Sequence, residues 1–190
     1  LSGANSYSGT TTISDGKLQL AGGNDRIQTT SALYLKNGKI LDLNGQNQTF
    51  GAVTCEQNAS ITLGTGSLSI GNGNTNGDLW NGMTISGQGG FYKIGSGSVT
   101  FAGFGTYTGG TFIQGGTLTL YGSYPNGGND HLPTTGDVTI DSGATLSLSH
   151  TNAPATSTQT IGRLLGSGRV QINSSGRSVN TAILTVSRSS

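Results

Sequence analysis

Residues 95–120 read GSGSVTFAGFGTYTGGTFIQGGTLTL, and this stretch decides the fold. Short runs such as 99–101 and 118–120 alternate apolar residues with Thr, and glycine-rich turns separate them. An alternation of period two over a few residues, bounded by glycine, is typical of short strands that bury one face. The stretch therefore predicts short β-strands joined by tight turns.

The same pattern occurs twice in the chain. Positions 1–20 align with 101–120, positions 23–43 align with 128–148, and positions 48–51 align with 159–162, so the shift grows from 100 to 105 to 111 residues. Repeated strand–turn units predict a solenoid, in which each coil covers the hydrophobic residues of the next. The insertions fall between coils, where a solenoid tolerates them.

The composition supports an all-β chain. Among 190 residues there are 34 glycines and 3 prolines, 9% of residues are charged, and the formal net charge is +1. No stretch shows the 3.6-residue apolar period of a helix, and the regular alternation with low net charge excludes a disordered chain. At roughly 20–30 residues per coil, we expect about seven or eight coils. We predict one β-solenoid domain over residues 1–190, with imperfect copies at about 1–100 and 101–190.

Several features limit the class of protein. The single cysteine, Cys55, excludes an intrachain disulfide and a cysteine-based zinc cluster, and it is expected to be a small buried side chain. No apolar run approaches the ~20 residues of a transmembrane helix, and the first residues do not have the pattern expected of a signal peptide. The chain begins at Leu1, inside a repeat, which predicts that it is a fragment of a larger protein.

The acidic residues are scattered, which argues against catalysis. Polysaccharide hydrolases and lyases on β-helices need clustered carboxylates, or a carboxylate with a basic partner, on one exposed face. Asp25 and Asp130 occupy equivalent positions in the two copies, which favours a turn-stabilising role, and only Asp42 projects from a predicted strand. The isolated histidines His131 and His150 are expected on the surface. We predict that the chain is not an enzyme.

No cofactor is predicted. Residues 71–82, GNGNTNGDLWNG, break the strand rhythm as the longest Gly/Asn loop, and 72–78 resemble the start of a calcium loop. Neutral amides replace carboxylates there, and Met83 stands where a bidentate Glu is needed, so a plain loop is favoured over a calcium site. The C-terminal arginines are too widely spaced for a nucleic-acid interface.

The aromatic residues carry the prediction of a binding site. At several outward positions one copy has a small residue and the other an aromatic: Tyr34 aligns with Thr139, Phe112 with Thr12, and Tyr121 with Ala21. Exposed rings on a stiff solenoid could stack on pyranose rings while Asn, Gln and Thr bond the hydroxyls. The alternative is that the rings pack against neighbouring side chains. The predicted carbohydrate-binding residues are Trp80, Tyr92, Tyr121, Tyr124 and Tyr34.

Residues 95–120, residues 23–51 (GNDRIQTTSALYLKNGKILDLNGQNQTFG) and residues 164–170 (LLGSGRV) resemble the autotransporter-associated β-strand repeats of bacterial secreted proteins. The resemblance implies an all-β fold, a right-handed single-stranded parallel β-helix, on an extracellular, secreted or cell-surface protein. The chain also looks like the β-helical xylan-binding carbohydrate-binding modules of secreted xylanases.

Three functions are compatible with these patterns. The first is a non-catalytic carbohydrate-binding module for a plant-type polysaccharide such as xylan, fused to another domain such as a glycoside hydrolase. The second is a structural stem or adhesin passenger segment of an autotransporter-like bacterial surface protein. A β-helical carbohydrate-active enzyme is the third, and the scattered acids disfavour it. The partner expected for the first function is a polysaccharide, with no nucleic acid and no membrane insertion.

Overall fold

The computed structural model describes residues 1–80, 82–122, 130–150, 156–174 and 181–187. These residues form 21 short strands and no helix. The strands, numbered in chain order, lie on three faces that the chain visits in turn. No helix in the described part of the chain is long and apolar enough to cross a membrane.

Face A is the sheet of eight strands. It comprises β1 (Thr11–Ile13), β3 (Leu33–Leu35), β6 (Val53–Cys55), β9 (Gly77–Leu79), β12 (Ser98–Phe101), β15 (Thr117–Gly122), β17 (Thr145–His150) and β20 (Arg169–Ser174). Face C is the sheet of six strands. It comprises β5 (Gln48–Phe50), β8 (Leu68–Ile70), β11 (Phe91–Lys93), β14 (Thr111–Ile113), β16 (Val138–Ile140) and β19 (Leu164–Gly166).

Face B lies between them in chain order. It comprises β2 (Lys17–Gln19), β4 (Ile40–Asp42), β7 (Ser60–Thr62), β10 (Thr84–Ser86) and β13 (Phe104–Gly105). A two-stranded sheet, β18 (Thr156–Ile161) with β21 (Thr181–Val186), continues this face. The link is residues 130–132, because the amide of Gly105 donates to the carbonyl of His131 and the amide of Asp130 donates to the carbonyl of Thr158.

All strand pairs are parallel, and each strand pairs with one from the next turn rather than with its neighbour in the chain. On face A the distance between register partners ranges from 19 residues, Ser98 to Thr117, to 28 residues, Thr117 to Thr145. Eight rungs on face A define about seven turns. This confirms the predicted all-β, parallel β-solenoid.

The core lies inside the three faces. Most strands bury alternate residues, so that the inward side chains of successive turns stack on one another. Phe91, Phe101 and Tyr107 are fully buried, with the Phe91 centroid 6.1 Å from that of Phe101 and 6.2 Å from that of Tyr107. Cys55 is also buried, as expected, and burial raises the pKa of its thiol.

The two sequence copies occupy different faces of the solenoid. Strand β1 lies on face A, whereas its sequence equivalent β14 lies on face C; likewise β3 is on face A and its equivalent β16 is on face C. The strands β3, β4 and β5 begin at residues 33, 40 and 48, so each face takes a unit of similar length. Because the units are interchangeable, the second copy can start one face away from the first.

Two buried glutamines stand in for strand pairing where a turn lacks a regular strand. The Gln48 side chain accepts a hydrogen bond from the Ile27 amide (3.1 Å) and donates to the Ile27 carbonyl (2.9 Å). Gln159 does the same with Leu132, at 2.9 and 3.1 Å. Each side chain therefore makes the two bonds that a paired backbone residue would make.

Asp25 and Asp130, which lie close to Ile27 and Leu132 in sequence, bond to the next coil of the solenoid. Asp25 Oδ1 accepts from the amide of Thr49 (2.8 Å), and Asp130 Oδ1 accepts from the amide of Thr160 (2.6 Å). Both aspartates adopt positive φ, 49° and 53°. The two aspartates have equivalent roles, as predicted, but each carboxylate bonds to the backbone of the next coil and not to its own local turn.

The sequence predicted a continuous loop over residues 71–82, and this was wrong, because the segment contains strand β9. Leu79 reaches the core, and the amides of Ser96 and Ser98 donate to the side-chain oxygens of Asn74 (2.9 Å) and Asn76 (2.8 Å). These asparagines therefore bond to the next turn. Two of the oxygens that a calcium site would use are engaged in these bonds. The prediction that the chain has no cofactor stays untested.

Candidate functional site

The predicted binding residues do not form one platform. Tyr34 and Tyr121 lie on face A, on its second and sixth rungs, which at ~4.8 Å per rung are about 19 Å apart. Tyr92 lies on face C, and Trp80 follows β9 at the corner between faces A and B. Tyr124 lies outside the described residues. The sequence predicted that these side chains point outward, but it did not predict how far apart they lie.

Trp80 is the most exposed of the large apolar side chains in the described part of the chain, at 56%. Its backbone amide donates to the carbonyl of Cys55 (3.2 Å), which fixes the corner. Burial raises the pKa of the neighbouring Asp78, and a hydrogen bond from the Trp80 side chain partly offsets the rise. Trp80 is thus a single anchored ring without an aromatic neighbour among the described ring contacts.

Tyr34 is bonded to the adjacent turn. Its hydroxyl donates to the Glu56 carboxylate, which also accepts from the amide of Asn37 (2.9 Å). The hydrogen bond between the two side chains raises the pKa of Tyr34 and lowers the pKa of Glu56. For Tyr34 the structure supports the alternative that the ring contacts neighbouring side chains.

Tyr92 has an aromatic partner that was missing from the predicted site. Tyr92 on β11 and Phe112 on β14 are register partners, and their rings stack with centroids 4.5 Å apart and planes 12° from parallel. A spacing of this kind is typical of offset-stacked rings. Both positions point outward in the sequence pattern, but the sequence does not indicate that β11 and β14 pair, which is what makes the two residues neighbours.

A cleft of about 270 Å³ opens on face C beside this pair. It is lined by Thr108, Gly109, Gly110, Phe112, Thr135, Gly136, Asp137, Thr139 and Leu165. Phe112, Thr139 and Leu165 are successive register partners on three adjacent strands, β14, β16 and β19. We call this cleft the face C slot.

An ion pair borders the face C slot. The Asp137 carboxylate accepts two bonds from the Arg163 guanidinium, at 3.1 Å from Nε and 2.6 Å from Nη2, and a third from the Arg163 amide at 3.1 Å. The hydrogen bond to Asp137 raises the pKa of Arg163. The local charge of the pair is therefore balanced.

Two further acids, Asp15 and Asp42, also bind neighbouring turns. Asp15 accepts from Lys39 (3.1 Å) and Asp42 from Lys17 (3.2 Å). Burial alone would raise the pKa of Asp42, but hydrogen bonds from Gln19, Asn44 and Lys17 lower it. In the described ranges no three His, Cys, Asp or Glu residues come together as a metal site.

His131 is buried, so the prediction of a surface position was wrong. It is 4% exposed, its Nδ1 lies 2.8 Å from the Gly103 carbonyl, and its ring stacks on Phe104 at 6.2 Å between centroids. Its Nε2 has no hydrogen-bond partner. The side chain of His150 is outside the described set, and its expected surface position stays a prediction.

We expect the stability of the protein to fall below about pH 6.5, the unperturbed histidine pKa. Burial lowers the pKa of His131, although the Gly103 carbonyl and Asp130 oppose the shift. In the acid range the unfolded chain therefore binds a proton that the folded chain does not, and the free energy of unfolding decreases by up to ~1.4 kcal/mol per pH unit. Urea denaturation at pH 5, 6 and 7 measures this slope.

The matched variant for this prediction is His131→Asn, because an Asn amide nitrogen can replace Nδ1 as a donor to Gly103. The difference in slope between the wild type and this variant isolates His131 from the carboxylates. Equal slopes between pH 7 and 5 would refute the assignment.

Lys93 is a second buried titratable group. It occupies an inward position between Ile70 and Ile113 in the face C ladder and is fully buried. Its ammonium donates to three carbonyls, of Ile94 (2.6 Å), Gly95 (2.9 Å) and Gly115 (3.0 Å). Burial lowers the pKa of Lys93 to about 8. Lys93 therefore ties two turns together at the corner that follows face C.

For Lys93 we expect stability to rise with pH between about 8 and 10.4, the unperturbed lysine pKa. In that window the unfolded chain is protonated at this site and the folded chain is not, so the free energy of unfolding increases by up to ~1.4 kcal/mol per pH unit. Lys93→Met, which cannot titrate, should lack the rise when urea denaturation is repeated at pH 7.5, 8.5 and 9.5. A Met variant with the wild-type slope would rule out Lys93 as its source.

The described fold is a repetitive β-solenoid with surface clefts, and comparisons with known proteins agree with that class. The model of the family described as Passenger-associated-transport-repeat matches residues 1–20 and 91–120. These ranges include the two internal copies at 1–20 and 101–120. The chain is also 36% identical over 117 residues to the adhesin BmaC autotransporter of Brucella suis biovar 1 (strain 1330).

That alignment covers 60% of this chain and 3% of the adhesin, so the chain spans only a small part of the relative's length. No solved structure matches the chain significantly. The chain is therefore similar to autotransporter passenger repeats, as the sequence motifs implied. The resemblance to xylan-binding modules receives no support from these comparisons.

Proposed function

We propose that the chain is a passenger segment of an autotransporter-type bacterial surface protein and acts as a stiff, non-enzymatic stem. This is the second of the functions predicted from the sequence, and it replaces the xylan-binding module as the preferred one. The observation that carries it is the unbroken ladder of eight rungs on face A, in a chain similar to passenger repeats.

The structural argument rests on the way the turns are joined. Every turn contributes backbone bonds to the next, and polar side chains such as Asn47, Gln48 and Lys93 add bonds between turns. Seven steps of ~4.8 Å give a rod about 34 Å long, and each added turn extends the same hydrophobic core. Turn-to-turn bonding along the whole length suits a spacer.

The disposition of the acids supports a non-enzymatic role. Asp15, Asp42 and Asp137 each form an ion pair with a basic residue, and Glu56 bonds to Tyr34. Carboxylates held in this way stabilise the stack, whereas glycoside hydrolysis needs a facing pair of carboxyl groups. A secreted or surface location follows from the proposed class.

The test is performed on intact cells that produce the parent protein. An antibody raised against this 190-residue chain should label unpermeabilised cells, and external protease should remove the epitope. Permeabilised cells and a cytoplasmic marker protein are the controls. An epitope that is reached only after the cells are opened would contradict the proposal.

A further inference from the structure

The outward column of face C contains an aromatic ladder that stops after two rings. Its members are, in order of turns, Thr49, Ser69, Tyr92, Phe112, Thr139 and Leu165. Tyr92 and Phe112 stack directly. The next rung has the small residue Thr139, and the rung after it has Leu165. One rung of the ladder is therefore missing a large side chain, and the face C slot is the space that results.

The height of the face C slot matches a single ring. Adjacent parallel strands are ~4.8 Å apart, so Phe112 and Leu165, two rungs apart, are separated by about 9.6 Å. The ring spacing of Tyr92 and Phe112 is 4.5 Å, which shows the distance that one stacked layer takes on this face. One further flat ring fits between Phe112 and Leu165, with one such spacing on each side.

The sides of the slot are open and polar. Gly110 and Gly136 stand at the turn that precedes each strand and place no side chain in the opening. A Cβ at Gly110 would lie 3.5 Å from the Phe112 ring, so a larger residue there would narrow the entrance. Thr108, Thr135 and Thr139 bring hydroxyl groups to the lining, and Asp137 brings a carboxylate.

We propose that the face C slot binds one neutral pyranose ring of a glycan, held between Phe112 and Leu165. Pyranose rings have apolar faces for the two walls and hydroxyl groups at the edge for the threonines. A phenyl or indole ring would satisfy the walls but would make no hydrogen bond to the hydroxyl groups of Thr108 and Thr139. The ring is neutral because Arg163 already balances the charge of Asp137. This site would act in addition to the stem and does not depend on it.

The experiment is a titration of the 190-residue chain with D-glucose, D-galactose and N-acetyl-D-glucosamine, followed by amide NMR shifts. We expect at least one sugar to bind saturably in the millimolar range, with shifts at Thr139 and Gly136. Tyrosine amide is the competing probe: if it shifts these amides and none of the sugars does, the slot is an aromatic-residue site and the proposal is overturned. No saturable shift with any sugar also overturns it.

Two ring-adding variants separate the slot from the rest of face C. Thr139→Phe places a ring in the slot and should weaken sugar binding at least tenfold, while the urea midpoint is retained or raised because the aromatic ladder is extended. Ser69→Phe adds a ring on the opposite side of Tyr92 and should leave binding unchanged. Phe112→Leu, which removes the flat wall, should also weaken binding at least tenfold. Wild-type affinity in both Thr139→Phe and Phe112→Leu would refute the site.

Discussion

Replacing Gly89 with alanine is expected to destabilise the protein by more than about 3 kcal/mol, which is a large effect for a point substitution. Gly89 lies at the corner between faces B and C, where successive turns are in close contact. A Cβ added there would overlap the carbonyl oxygen of Gly66 in the preceding turn. The clash is with backbone, which cannot rotate away as a flexible side chain could. The two turns must separate, and the ladders on both adjoining faces are disturbed.

The effect can be measured as the change in the free energy of unfolding in urea. Gly9→Ala is the matched control, because a Cβ at Gly9 meets no atom within 4 Å and its φ is not positive. We expect that control to stay within ~0.5 kcal/mol of the wild type. Gly38→Ala adds a third case, since its φ is 69° but the space is open, and a loss of about 1 kcal/mol is expected from backbone strain alone. A Gly89→Ala loss no larger than that of Gly38→Ala would contradict the close stacking.

The second large effect is expected at the buried glutamines. Gln48→Leu preserves most of the side-chain volume but removes the bonds to the Ile27 amide and carbonyl and the bond to the Thr49 carbonyl (2.7 Å). Each buried polar group left unpaired costs ~1–3 kcal/mol, so we expect a loss of about 3 kcal/mol. Gln159→Leu should cost a similar amount, since its partners are Leu132 and Thr160.

Gln114→Leu is the matched control, because Gln114 is exposed and the backbone bond it makes does not involve its side chain. Hydrogen exchange provides a local measurement: the Ile27 amide should lose protection in Gln48→Leu. If Gln48→Leu and Gln114→Leu have the same stability and the same exchange at Ile27, the glutamine does not substitute for a strand.

The fold class could be predicted from the sequence because its causes are local. Alternation of period two sets the inward and outward positions, and glycines mark the corners, so the runs 99–101 and 118–120 were predicted as strands, and they lie in β12 and β15. The face that each strand occupies could not be predicted, because units of about seven residues fit any of the three faces.

Tyr7 and Tyr107 show how the place of a residue in the stack changes its burial. Each hydroxyl bonds to the equivalent threonine, Thr11 or Thr111, yet Tyr7 is 42% exposed and Tyr107 is fully buried.

The candidate site was predicted only in its components. Outward aromatic positions followed from the alternation, and Tyr92 is one of them. The sequence could not predict that Phe112 stacks on Tyr92 or that Thr139 leaves a gap beside it. Both depend on which strands are adjacent, and this is set by how the turns stack. The surface position predicted for His131 was wrong for a related reason. Arg26, which aligns with His131 in the first copy, is not enclosed, whereas the His131 ring stacks on Phe104 and bonds to the Gly103 carbonyl.

The central claim is that consecutive turns stack along one axis, and distances between spin labels on face A test it most directly. Thr12, Thr100, Thr119 and Gln171 occupy rungs one, five, six and eight of that face. With a label at Thr12 paired in turn with each of the others, the account predicts backbone separations of about 19, 24 and 34 Å, proportional to the number of turns. Cys55 is buried and does not compete for the label. Distances that do not rise in this order, as in two packed sheets joined by hairpins, would contradict the account.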